Sequence, residues 1–272
     1  MPFVQTRDNV GLYVKQWGSG RPVILIHGWP LSSDSWDPVG MALAEAGCRA
    51  IAYDRRGFGR SDQPWGSYGY DTLADDLADV MAATSATADV SLVGFSMGGG
   101  EVARYMSRHD GKGVVSDVLV SSIVPCLLKK DDNPYGVPQE TVESIRNGIL
   151  ADRPRFMRDF LSSFFGVGLL TSPVSDALLD WAWQITMQAG LRPTLECAHA
   201  FAMTDFRGEM SSFSKPTLII HGTADQTVPI DATGRAAAEL IGGAQLIEYD
   251  GAPHGVFATH TQRLITDLAT FL

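Results

Sequence analysis

A series of short apolar runs, each halted by a small or polar residue, divides this chain into regular steps. "PVILIHG" stops at Gly28, "CRAIAYD" at Asp54 and "VSLVGFS" at Ser96. "VVSDVLVSS" stops near Ser121, "PTLIIHG" at Gly222 and "AQLIEYD" at Asp250. Runs of this length with no alternation fit strands buried on both faces. Helix-length segments, about 33–47, 71–84, 97–108 and 231–241, separate most of them. Strands alternating with helices imply a parallel sheet joined by right-handed crossovers. Ahead of these, Val10, Leu12, Val14 and Trp17 alternate weakly and end at "GSG", which predicts a leading strand and turn.

The rhythm lapses between about Pro125 and Lys215. "DDNPYGVPQE" reads as a proline-rich loop, and helical pieces follow that carry Phe156, Phe160, Phe164, Phe165, Trp181, Trp183, Phe201 and Phe206. The expectation is a core formed by residues 1–125 and 215–272, with a helical cap, 126–214, inserted in it. Most of these aromatics are expected to pack the cap on itself, as aromatics at helical spacing usually do.

One step carries chemistry. In "GFSMG" a serine sits between Gly94 and Gly98 where a strand passes straight into a helix. This matches G-x-S-x-G, the turn that lifts a nucleophile above a sheet edge. Its context, an apolar strand before and an amphipathic helix after, is what the mechanism needs. The N-terminus of that helix faces the place where negative charge would develop. The alternative is a glycine-rich turn that happens to hold a serine.

A serine hydroxyl needs a base, and the base needs an orienting carboxylate. Of six histidines, His254 in "GAPHGVF" lies in a loop after the last predicted strand and before the last helix, able to reach back to Ser96. His109 reads as a helix-end partner and His221 as structural, while His199 and His260 lie on helices and His27 follows the first buried strand. Asp225 in "HGTADQTVP" fills the middle of the chain order Ser, Asp, His, with Asp54, Asp62 and Asp250 as rivals. A capping or turn-forming role is the ordinary one for such an aspartate. Two backbone N–H groups must meet the oxyanion. Met97, next after the nucleophile, and Trp29 in "HGWP" are the candidates, since Pro30 has no N–H to give. Candidates for the apolar pocket are Phe95, Val124, Phe160, Phe164, Phe201 and Val228.

Composition excludes other classes. The 272 residues are 45% hydrophobic and 19% charged, enough for one substantial core, and the formal charge is −10. Without a basic run, nucleic acid is not an expected partner. Three scattered cysteines, Cys48, Cys126 and Cys197, form neither a disulfide framework nor a zinc pattern, so a reducing cytoplasm is expected. No apolar stretch has the length that crosses a membrane, and the N-terminus lacks a signal peptide's layout.

Together, "HGWPLSSDSW", "YDRRGFGRSDQPW", "LVGFSMGGGEVARYMSRH", "FAMTDFR", "IIHGTADQTVPIDATG" and "APHG" resemble the α/β-hydrolase superfamily. More closely, they resemble its bacterial cofactor-free haloperoxidase and arylesterase branch, which includes perhydrolases and some γ-lactamases. The resemblance spans nearly the whole chain and is weakest in the cap. It implies an α/β-hydrolase fold with an eight-stranded, mostly parallel sheet. It implies Ser96 as nucleophile, Asp225 as acid, His254 as base, and Trp29 and Met97 as oxyanion donors. It also implies no metal and no organic cofactor, a structural role for Arg55 and Arg56, and assembly as a trimer or larger homo-oligomer. Serine rather than aspartate at the elbow disfavours dehalogenase and epoxide-hydrolase chemistry. The expected reaction is cleavage of small apolar esters, with peroxide as a second acceptor. Lactam or amide cleavage by the same triad, or a ligand-binding relic, are the alternatives.

Overall fold

The computed structural model describes residues 2–168 and 171–272. In chain order the elements are β1 (Phe3–Gln5), β2 (Gly11–Gly18), β3 (Arg21–Ile26), α1 (Asp37–Glu45), β4 (Cys48–Tyr53), α2 (Tyr70–Ala83), β5 (Val90–Phe95), α3 (Met97–Arg108) and β6 (Val114–Val120). Then follow α4 (Gln139–Phe164), α5 (Asp176–Gln188), α6 (Leu191–Met203), β7 (Thr217–Gly222), α7 (Gly234–Leu240), β8 (Gln245–Tyr249), α8 (Val256–Thr259) and α9 (Thr261–Phe271). The eight strands form one sheet in the order β1-β2-β4-β3-β5-β6-β7-β8, parallel from β4 to β8 and antiparallel where β1 and β2 join its edge.

The apolar runs of β3, β5, β6 and β7 have nearly the burial they predict, whereas "AQLIEYD" forms the edge strand β8, in which only Tyr249 is buried because no strand covers its outer side. In β3, Ile24 and Ile26 join Ile51, Leu92, Leu119 and Ile219 under α2 and α3. Val23 and Leu25 join Ala52, Val93, Val118 and Ile220 on the other face, beneath α1 and α9. Alternate side chains of one strand feed two layers, so a polar residue in the run costs stability unless it finds a partner.

Three further segments depart from the sequence reading. Residues 33–36 form a 3-10 turn capped by Ser32 before α1 begins, and Pro38 sits in the first turn of α1 where its fixed φ suits a helix start. Residues 231–233 are a turn, and α7 starts only at Gly234, because Ala232 and Thr233 donate to carbonyls three residues back. Strand β1 has only three residues, too few to show a period.

The strand order reverses between β3 and β5: the chain leaves β3 for β4 on one side, then returns for β5 on the other. Ligand sites in open α/β sheets form at the carboxyl ends of strands at such a reversal. Here Ile26 pairs with Gly94, so the loops after β3 and β5 rise side by side. Helices α4, α5 and α6 lie between β6 and β7 in sequence, and α4 bends at Asp152, two residues before Pro154. No helix among the described residues is long and apolar enough to cross a membrane.

Candidate active site

The strand-to-helix turn holds Ser96 at φ 54° and ψ −117°, a left-handed conformation unusual for a side-chain-bearing residue. The crowding there needs glycine. A Cβ on Gly94 would stand 2.6 Å from the Gly98 carbonyl oxygen, and one on Gly98 would stand 2.6 Å from that of Ile26. The strain is held in place by Ser96 N–H donating to the Val120 carbonyl (2.9 Å) and Gly99 N–H to the Ser96 carbonyl (3.0 Å).

Ser96 Oγ lies 2.9 Å from His254 Nε2, and His254 Nδ1 lies 2.6 Å from Asp225 Oδ2. A carboxylate can only accept, so Nδ1 carries the proton and Nε2 is free to accept from the serine. Asp225 Oδ1 meanwhile accepts the N–H groups of Thr227 (2.9 Å) and Val228 (2.8 Å), which fixes the carboxylate plane. Burial alone would raise the Asp225 carboxyl. The charge of His254 and the hydrogen bonds from His221 and His254 outweigh it and hold the group well below the usual carboxylate range. Asp225 is therefore held as an anion.

The other candidates are occupied elsewhere. Asp54 accepts from Ser33 and Arg60, Asp62 from the Gly11 N–H, and Asp250 from Thr223 at the surface. His109 pairs with Asp75 and His260 with Thr259. His221 is fully buried with Nε2 2.9 Å from the Val228 carbonyl oxygen and 3.3 Å from Asp225 Oδ2, so it packs behind the acid rather than beside the serine.

The N–H groups of Trp29 and Met97 meet no acceptor among the described residues, although both residues are buried. A buried, unpaired backbone N–H is rare and costly. The Trp29 indole reaches away from that site: Nε1–H donates to the Thr194 carbonyl of α6 (3.0 Å), and the ring packs edge-on to Phe160 and tilted against Phe201.

Above Ser96 and His254 opens a cavity of about 360 Å³ whose walls are mostly apolar. Trp29, Phe160, Phe201 and Val228 line it. Phe95, Val124 and Phe164, also expected as pocket residues, do not: all three are fully buried behind the site. Phe164 meets the His254 ring edge-on at 4.7 Å and Phe95 lies tilted to it at 5.1 Å, so they brace that imidazole. Sequence reasoning missed Val142, Ile145, Phe156 and Ser163 on α4, and Ile123 and Leu127 in the loop after β6. The α4 spacing 142, 145, 156, 160 is a readable apolar stripe, but its direction depends on the bend at Asp152. Among the described residues, no three His, Cys, Asp or Glu side chains are grouped as a metal would require.

A family model described as alpha/beta hydrolase fold matches residues 21–261. The chain is 44% identical to non-heme chloroperoxidase CPO-A1 of Kitasatospora aureofaciens over 94% of its own length and 93% of that protein's. It is 38% identical to the bifunctional esterase/perhydrolase DCH of Acinetobacter calcoaceticus over 100% of its own length and 99% of the other. Its structure superposes on that of a bromoperoxidase from Bacillus anthracis with a TM-score of 0.95 and 41% identity, covering 99% of this chain and 98% of that one.

Proposed function

The chain belongs to the α/β-hydrolase fold family, and from that membership we propose that it is a serine esterase for small, apolar carboxylic esters that also performs perhydrolase and haloperoxidase chemistry. The observation that carries the reading is the connected row of Ser96, His254 and Asp225 at the floor of an apolar cavity. Its chain order, serine then aspartate then histidine, is the one this fold uses.

In this reading Ser96 Oγ attacks the ester carbonyl as His254 Nε2 takes its proton. The developing oxyanion is held by the N–H groups of Trp29 and Met97. His254 returns the proton to the leaving alkoxide, and the acyl group stays on Ser96. Water then attacks with His254 again as base, releasing the acid and restoring the hydroxyl. Asp225 remains an anion and stabilises the imidazolium at each stage. Residues 126–214 act as a cap whose α4 and α6 side chains shape the acyl or leaving-group pocket.

Hydrogen peroxide in place of water gives the second activity. It attacks the same acyl-enzyme, His254 takes its proton, and a peracid leaves. The peracid then transfers its outer oxygen to bromide away from the site, giving hypobromous acid and the carboxylate. The names borne by the relatives support this reading. Ser96→Ala is expected to lower p-nitrophenyl acetate turnover by at least about 10⁴-fold and to abolish acetate-dependent bromination together with it. Bromination that survives the substitution, or that needs a metal instead of a carboxylic acid, would remove the peroxide step. Esterase activity that survives would remove the whole mechanism.

A further inference from the structure

A fully buried ion pair lies beneath the site and has no part in the proton relay. Arg55, in the loop after β4, and Glu101, on the first turns of α3, are 1% and 0% exposed. Glu101 accepts from Arg55 and from the Tyr53 hydroxyl (2.6 Å). Arg55 faces the other way as well: its Nη2–H donates to the His27 carbonyl (2.6 Å) and its backbone N–H donates to His27 Nε2 (3.0 Å).

That last bond decides the tautomer of His27. With Nε2 accepting, Nδ1 carries the proton and donates to the Gly28 carbonyl at 2.9 Å. Burial, then the charge of Arg55, keeps His27 neutral, with its pKa down at about 3. The Gly28 carbonyl also takes the Leu31 N–H (3.0 Å). It belongs to the same peptide plane as the Trp29 N–H, so whatever fixes that carbonyl fixes the direction of the N–H. The loop has no slack here: a Cβ on Gly28 would stand 2.9 Å from Ser96 Cβ.

We propose that Arg55, anchored by Glu101, is a positioning residue for the oxyanion hole. It holds His27, through His27 the Gly28–Trp29 peptide, and so aims the Trp29 N–H relative to the helix that carries Met97. One donor comes from the loop after β3 and the other from the first residue of α3, and this buried bridge ties the two elements together. The inference rests on the reading that these two N–H groups receive the oxyanion. The competing role is fold stability alone. Replacing a buried pair by apolar side chains is often neutral or stabilising, so the two roles separate.

The test combines Arg55→Met, Glu101→Met and Tyr53→Phe in one variant, beside Arg55→Lys alone. The lysine keeps a charge opposite Glu101 but lacks the fork that reaches the His27 carbonyl. Turnover of p-nitrophenyl acetate, inhibition by phenylboronic acid and melting temperature are read for each. The boronate forms a tetrahedral adduct on serine with an oxygen in the hole. Expected in both variants is a kcat about 10–100-fold lower, KM within about threefold, and a boronate Ki raised by a factor similar to the loss in kcat. A folded variant with kcat within about twofold of the parent would overturn the proposal. So would a fall in kcat with boronate binding unchanged, or a rise in KM alone. Should the triple variant not fold, the lysine variant reads the same quantities. Neither result touches the nucleophile, because Ser96→Ala reports on that separately.

Discussion

Three of the carboxylates buried in this molecule meet three different fates, and their partners decide which. Asp225 has two backbone N–H donors and His254 close by, and is held low enough to stay ionised. Glu101 is raised by burial yet faces Arg55 and the Tyr53 hydroxyl. Asp117, in the middle of β6, meets no donor with either oxygen among the described residues, and burial, against a smaller pull from Lys215, pushes it up to about 7. A carboxyl with a higher pKa folded than unfolded binds its proton more tightly in the fold. Below about pH 4 both states are protonated and nothing is lost; stability then falls as pH rises, until the folded group ionises near 7. Asp117→Asn should therefore raise the unfolding free energy from urea titration at pH 8, by an amount on the order of 3–4 kcal/mol, and leave it nearly unchanged at pH 4. Equal gains at both pH values would mean that the charge of Asp117 is not what costs stability.

At the level of elements, the site is a matter of how closely α3 can approach β3. Gly98 brings the first turn of the helix against the Ile26 carbonyl, and this proximity sets where Ser96 Oγ and the Met97 N–H stand. Gly98→Ala should force the helix away, costing about 1–3 kcal/mol in chemical denaturation. It should also lower kcat by roughly tenfold or more, since misplacing reacting groups by an ångström carries such penalties. Gly66, whose Cβ would meet nothing within 4 Å, is the control: Gly66→Ala should stay within about 0.5 kcal/mol and leave kcat unchanged. The elbow was legible because its glycines and serine are adjacent in sequence and the strand and helix on either side announce themselves by period. The brace of Phe95 and Phe164 on His254 was not. Phe164 ends α4, about ninety residues from the loop it supports, and nothing in its local spacing marks which way it points.

At the scale of the molecule, the reactive floor comes from the sheet and the pocket walls come largely from the inserted helices. Phe160 on α4 packs against Trp29 from the loop after β3 and lines the cavity, so it sits where the two parts meet. Phe160→Ala should enlarge that cavity. The ratio of kcat/KM for p-nitrophenyl octanoate over p-nitrophenyl acetate is expected to rise roughly tenfold. An unchanged ratio would show that the acyl chain lies elsewhere. The acidic balance of −10 bears on the solubility of the surface and leaves this pocket untouched, since its walls are mostly uncharged.

By itself the sequence determined what local chemistry can encode. The apolar runs set the strands and their two-sided burial, the glycines set the turn, and the order of Ser96, Asp225 and His254 set which residues could cooperate. Only the tertiary structure decided which aromatics face the cavity, where α4 bends, and that Arg55 joins the loop after β3 to Glu101 on α3. Those outcomes depend on contacts between segments far apart in the chain, and the direction of a side chain across such a contact follows from packing that no short stretch contains.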